Sequence, residues 1–321
     1  MARHMLVKEV WENKMNSVFK QIIQEICDEK KINYKFLSKD WVIMLEKDGK
    51  TRFISGYKFD LNSQGTGIVA DDKYATYEVL KEKNIPIIEY RIVYNKTNNQ
   101  DYAMGCNSYE YVKDFFTQNN NSIVIKPNEG TCGKGVYHIT NLNEIDDVLD
   151  KIFDENFSIS MCPFYNIEHE YRTILIDGEP ELLYSKHLPL VIGDGKKNIR
   201  ELLIEFNPKY FADKLNDSKY DRILEKDEKF QYSWKFNLSQ GSIAKKVTDT
   251  DLSDRIIKIA KKVCEEINLK FGSVDIIQTT DNKLYVLEVN SGVMMDNYIN
   301  LMPGGYMTAK NIYKKAIESM L

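Results

Sequence analysis

Ser122-Ile-Val-Ile-Lys126-Pro127-Asn128-Glu129-Gly130-Thr131-Cys132-Gly133-Lys134-Gly135-Val136 is the stretch on which the reading of this chain turns. Ile123 to Ile125 is a short apolar run of the kind that forms a buried strand. A lysine stands at the strand end, Pro127 stops the ladder, and glycines follow at 130, 133 and 135. Glycine lets backbone N–H groups turn toward an anion and lets a phosphate approach without meeting a Cβ. Taken alone, the stretch reads as a Gly-rich hairpin turn. Partners for a polyphosphate elsewhere in the chain decide between the two.

Two familiar phosphate motifs are excluded. With Gly133-Lys134 as the Gly-Lys pair of a P-loop, position 128 would have to be glycine and position 135 Ser or Thr; they are Asn128 and Gly135. No GxGxxG opens a helix with an acidic residue after the next strand, so a dinucleotide fingerprint is absent. A lysine ahead of the loop fits a β-hairpin lid laid over phosphates.

A second hairpin supplies acidic partners. Ser273 to Ile277 and Lys283 to Val289 read as two strands joined across Thr280-Asp-Asn282. Glu288 and Asn290 lie two apart and share a face, and antiparallel pairing brings Asp275 beside Glu288. Two carboxylates and an amide oxygen are hard ligands that suit Mg²⁺ bridging nucleotide phosphates. Solvent-facing carboxylates are the plainer explanation, but Val274, Ile276, Leu287 and Val289 flank them. Carboxylates in strongly apolar strands need a partner, and a cation is the simplest.

Around these anchors the pattern is mixed α/β. Residues 6–31 read as a helix, followed by β-type runs at 34–37, 41–45 and 51–54, a small α/β unit over residues 1–70. A helix capped by Asp72 ends at Lys83-Asn84, strand material follows at 87–93, and helices are expected at 109–116 and 143–156. Strands at 157–161, 170–176 and 182–186, a helix at 198–206, a long amphipathic helix at 251–267 with Ser253 as cap, and a last helix at 307–320 complete the chain. Residues 207–235 are polar and weakly patterned, and read as solvent-facing decoration or a mobile cover.

Composition narrows the class. The chain has 321 residues, 43% hydrophobic and 29% charged, with a net charge of −4. That balance argues against a general nucleic-acid or membrane surface, and no run of 18 apolar residues exists to span a bilayer. Cys27, Cys106, Cys132, Cys162 and Cys264 are odd in number and scattered, which fits a reducing cytoplasm and indicates neither a disulfide framework nor a structural zinc site. Met1-Ala-Arg-His-Met5 reads as an expression remnant, with Met5 the natural start. Cys132 reads as a small loop filler, since His4, His138, His169 and His187 are isolated from it in sequence.

At this point the residues resemble a family. Lys73 in Asp-Asp-Lys, Lys126 before Glu129 to Gly135, Glu170-Tyr-Arg172, Asn237-Leu-Ser-Gln-Gly241, and Asp275 with Glu288-Val-Asn290 occur in the order seen in ATP-grasp carboxylate–amine ligases. Val191-Ile-Gly-Asp-Gly-Lys-Lys-Asn-Ile-Arg-Glu-Leu202 is similar to the branch with cyanophycin synthetase, bifunctional glutathione synthetase and the ribosomal-protein glutamate-adding ligases. The resemblance covers residues 57–300 and implies an ATP-grasp fold: two α+β subdomains, 71–160 as lid and 161–321 with the metal site, clamping ATP after the small N-terminal domain.

The resemblance also implies roles. Lys73, Lys126 and Lys134, with Glu129 and the backbone of Gly130, Gly133 and Gly135, would hold ATP phosphates. Met161, Cys162 and Phe164 match the adenine linker, although many relatives carry a glutamate where Met161 stands. Glu170 matches a ribose ligand. Arg172, Lys186 and Asn237 fall near the transferred phosphate and substrate, and Asp275, Glu288 and Asn290 match a two-Mg²⁺ set that Mn²⁺ could also fill. The expected reaction joins a small-molecule carboxylate, activated as an acyl phosphate, to an amine, with amino acids or small peptides as substrates. An ATP-binding module, or a carboxylate kinase without amine transfer, is the alternative. Relatives are often dimers or tetramers, so a homo-oligomer is in keeping with the family.

Overall fold

The computed structural model describes residues 18–95, 109–130 and 133–321. The first half of the helix expected over 6–31, and Thr131 and Cys132 of the glycine loop, lie outside them. Helix α1 (Val18–Lys30) buries Phe19, Ile22, Ile23, Ile26 and Cys27, a stripe at helical spacing. It packs on a meander of four antiparallel strands, β1 (Asn33–Leu37), β2 (Val42–Lys47), β3 (Lys50–Ser55) and β4 (Lys58–Phe59). This core does not close by itself. Ala309, Ile312, Tyr313, Ala316 and Ile317 of the last helix, α10 (Gly305–Met320), complete it, with Tyr313 stacked on Phe59.

Helix α2 (Gln64–Asp71), capped by Ser63, was not anticipated because its Gly-Thr-Gly composition masks the helical signal. Helix α3 (Lys73–Glu82) starts as expected, with the Asp72 carboxylate accepting from the Ala75 N–H at 2.7 Å. The chain then enters a four-stranded antiparallel sheet in the order β5 (Arg91–Tyr94), β8 (Ser158–Pro163), β6 (Ile123–Pro127), β7 (Tyr137–Ile139). Helices α4 (Tyr109–Gln118) and α5 (Ile145–Phe153) cover one face through Val112, Phe116, Leu149 and Ile152. The other face of this sheet carries Lys126.

The second large sheet is also antiparallel, in the order β13 (Ile243–Lys246), β10 (Glu179–His187), β9 (Ile167–Ile176), β14 (Phe271–Thr279), β15 (Leu284–Asn290). Helix α8 (Thr250–Ile267) packs Ile256, Ala260, Val263 and Ile267 on one face, which leaves the other for the site. Its cap is Asp249, whose carboxylate accepts from the Leu252 N–H; Ser253, the expected cap, instead donates to the Asp249 carbonyl. Every residue of β14 is buried, as a strand covered on both faces requires. The short helix α9 (Asp296–Leu301) precedes α10.

The segment read as decoration is folded. Strands β11 (Leu190–Ile192) and β12 (Lys229–Gln231) pair, α6 (Ile199–Phe206) opens on an Asn198/Glu201 capping box, and α7 (Pro208–Phe211) follows. Leu203, Phe211, Leu215, Tyr220 and Leu224 bury a small core of their own. The apolar residues sit in elements too short to show a period, which is why the pattern looked polar.

Candidate active site

Strand pairing assembles the site. Asp275 lies opposite Glu288 on one side and Arg172 on the other, and Arg172 lies opposite Tyr184. One row therefore crosses β15, β14, β9 and β10, with Glu170 opposite Lys186 in the adjacent row. Residues two apart on a strand share a face, so Glu170 and Arg172 stand together.

The row is an ion cluster. The Arg172 guanidinium forks onto Asp275, Nε to Oδ1 at 2.7 Å and Nη2 to Oδ2 at 2.5 Å. Lys186 donates to Glu170 and, at 3.2 Å, to Asp275 Oδ2. Burial alone would raise Asp275, but Arg172 and Lys186 hold its carboxyl well below the usual range. Burial pushes Glu170 up to about 7, against the pull of Lys186 and with the push of the Asp275 charge. The ammonium shared between two carboxylates thus favours ionised Asp275, which has the second cation as well.

Helix α3 and strand β6 add two lysines. Lys73 donates to the carbonyls of Asn128 at 3.3 Å and Gly130 at 3.1 Å, tying α3 to the start of the glycine loop, and its ammonium lies 3.9 Å from Glu288. Burial lowers the Lys73 pKa, an effect Glu288 opposes. Lys126 donates to the Tyr90 hydroxyl at 2.6 Å. Gly133 has φ +66°, and a Cβ there would meet Asn237 Nδ2 at 2.6 Å, so the loop rests directly on the Asn237 turn. Lys134 and Glu129 are exposed beside it.

Not every expected residue converges. Met161 is fully buried among Val93, Ile125 and Ile159, on the face of β8 opposite Cys162, so only its backbone can turn to the cleft. Cys162 packs with Tyr90 and Val124, and burial raises its thiol to about 11. Phe164 stacks on His138 with ring centroids 3.8 Å apart, and Trp234 closes edge-on. Glu170, expected at a ribose, is buried against Lys186. Tyr90 and Ser160 were missed: Ser160 is paired opposite Lys126, and a lone tyrosine or serine gives no sequence signal.

A divalent cation fits this donor set as a shared ligand. Among the described residues no group of three His, Cys, Asp or Glu could hold a metal unaided. Among the described residues the buried Nδ2 atoms of Asn290 and Asn128 and the Ser160 hydroxyl have no hydrogen-bond partner, and the Glu288 pair with Lys73 is loose. Buried polar atoms without partners call for a polar ligand. Glu288 and Asn290 can each offer an oxygen to an ion whose remaining ligands come from a polyphosphate.

A cavity of about 380 Å³ adjoins the loop, lined by Lys58, Ser63, Asp71, Glu129 and Ser291 among others. Asp71 accepts from the Ser291 N–H at 3.1 Å and hydroxyl at 2.9 Å, which links α2 to the end of β15. No helix of the described residues is long and apolar enough to cross a membrane.

Comparison with known proteins agrees with this architecture. Residues 226–306 match the RimK-like ATP-grasp domain. Over 327 aligned positions the chain is 24% identical to cyanophycin synthetase of Trichormus variabilis, covering 93% of this chain and 33% of that protein. The chain thus spans about a third of the length of that curated relative. Among solved structures, a bifunctional glutathione synthetase from Pasteurella multocida superposes with a TM-score of 0.54 at 18% identity, covering 91% of this chain and 43% of that one. D-alanine–D-alanine ligase from Bacillus anthracis superposes at 0.52 and 14% identity, covering 80% of this chain and 68% of that one. The chain has the fold of the ATP-grasp ligases, and within it residues 226–306 match the RimK-like ATP-grasp domain.

Proposed function

We propose that the protein is an ATP- and Mg²⁺-dependent ligase that joins a small-molecule carboxylate to an amine, with amino acids or short peptides as substrates. The observation that carries this reading is the Glu288–Asp275–Arg172 row of the second sheet with Lys73 3.9 Å from Glu288 and Lys126 linked through the Tyr90 hydroxyl to Leu287 beside it. Relatives named for making cyanophycin, making glutathione or ligating D-alanine to D-alanine support bond formation. In this reading residues 71–160 are the lid, 161–321 the metal-bearing part, and 1–70 the flanking unit.

Lys73, Lys126 and Lys134 neutralise the polyphosphate, and the loop of Gly130, Gly133 and Gly135 covers it. Glu288 and Asn290 would hold Mg²⁺, which when bound offsets charge on the transferred phosphoryl group, while Asp275, expected as a third ligand, has both oxygens taken up by Arg172 and Lys186. A substrate carboxylate attacks the γ-phosphorus, ADP leaves, and an acyl phosphate forms. The amine then attacks the acyl carbon. Arg172, held by Asp275 through Nε and Nη2, keeps Nη1 to donate to the tetrahedral oxyanion before phosphate departs. Closure of the loop on Asn237 excludes water that would hydrolyse the acyl phosphate. A reducing cytoplasm suits the unpaired, buried Cys27, Cys162 and Cys264.

The test is ADP release with amino acid mixtures and Mg-ATP, wild type against Glu288→Ala. Amine-dependent release that the variant loses supports the reading. Wild-type rates in Glu288→Ala remove the metal assignment.

A further inference from the structure

We infer that Tyr90 is a positioning residue: its hydroxyl sets the Lys126 ammonium against the strand that carries Glu288. This rests on the ATP reading above and adds a residue to it. Tyr90 is 0% exposed, in the segment before β5. Its hydroxyl accepts from Lys126 Nζ at 2.6 Å and donates to the Leu287 carbonyl at 3.0 Å, one residue before Glu288. The ammonium also lies 4.7 Å from the Tyr90 ring centroid. The tyrosine segment itself is anchored to β15, with the Ile88 N–H donating to Val286 O at 3.1 Å and the Val286 N–H to Pro86 O at 2.8 Å.

Three parts of the chain far apart in sequence meet at this one hydroxyl. Lys126 belongs to the lid sheet and Glu288 to the second sheet, so the relay fixes the distance between the lid cation and the acidic hairpin. A flexible lysine would otherwise sample many rotamers before it met a phosphate. One ammonium proton is committed to Tyr90, and two remain for the ligand. The phenol stays protonated, because burial raises its pKa well above the ordinary value; it can therefore accept from lysine and donate to the carbonyl together.

Tyr90→Phe keeps the ring, the packing and the cation–π contact, and removes only the relay. Isothermal titration of Mg-ATP into wild type, Tyr90→Phe, Lys126→Ala and the double variant reads the effect, with thermal melts to verify folding. Loss of a hydrogen bond to a charged group predicts ATP affinity at least about tenfold weaker in Tyr90→Phe, in a protein that still melts cooperatively, though at a lower midpoint because the Leu287 carbonyl loses its donor. Because Tyr90 acts through Lys126, the double variant should bind no more weakly than Lys126→Ala alone. Wild-type affinity in Tyr90→Phe, or its full penalty repeated on top of Lys126→Ala, overturns the inference while leaving the ATP reading intact. Failure of wild type to bind Mg-ATP overturns both.

Discussion

Arg172 and Asp275 stand opposite each other on β9 and β14, and the guanidinium grips the carboxylate through two hydrogen bonds of 2.7 and 2.5 Å. The pair does two jobs: it neutralises a carboxylate with 1% side-chain exposure, and it fixes the arginine fork in one orientation. Breaking a buried pair from one side strands the other charge. Asp275→Asn should therefore lose about 3–5 kcal/mol of stability in urea unfolding. A loss below about 1 kcal/mol, the range of an exposed pair, would show that the cluster is hydrated.

Arg172→Lys separates charge from geometry. A lysine keeps the cation but cannot fork. The expectation is ATP affinity close to wild type and turnover reduced about a hundredfold or more, the scale of one lost oxyanion donor. Turnover and affinity falling together would assign Arg172 to ATP binding instead.

Gly133→Ala tests the loop. The left-handed φ of +66° costs a side chain about 1–2 kcal/mol, and the new methyl meets Asn237. Since the strain is local to a surface loop, the melting temperature should hold while ATP affinity drops about tenfold. Unchanged affinity would mean that the loop does not rest on the nucleotide.

Glu170 makes the site pH-sensitive. Its carboxyl is raised by burial from 4.5 to about 7, so between those values the folded chain holds a proton that the unfolded chain has released. Stability contributed by this group must then fall as pH rises across that window and level off above it. Melting temperatures of wild type and Glu170→Gln measured from pH 4.5 to 7 should converge at the acid end and diverge toward neutrality, the glutamine variant being relatively favoured. Parallel curves would show that Glu170 does not titrate there.

Much of this was legible in the chain. Alternation placed Glu288 and Asn290 on one face, the 280–282 turn set Asp275 opposite Glu288, and the order of Lys73, Lys126, Arg172 and Asp275 matched a known plan. The contacts between those groups were not legible. Glu170 meeting Lys186, Lys73 gripping the loop carbonyls, and Tyr90 reaching Leu287 across 197 residues depend on how two sheets face each other, which local pattern does not encode. The core under the 207–235 segment was not legible for a related reason: Phe211, Leu215, Tyr220 and Leu224 sit in short helical pieces and loops and form a core only together with Leu202 and Leu203 of α6. Met161 illustrates parity: a motif names the strand, and the pleat decides which neighbour looks into the cleft.

Amide-bond formation is what separates a ligase from a nucleotide-binding module or a carboxylate kinase. Mass spectrometry of reactions holding Mg-ATP with pooled amino acids and dipeptides measures it most directly. A ligase yields a new species whose mass is the sum of two pool members less one water, formed with stoichiometric ADP and phosphate and absent in Lys126→Ala and Glu288→Ala. ADP formation with no condensed product, or a phosphorylated carboxylate that persists in the presence of amines, would contradict the ligase reading.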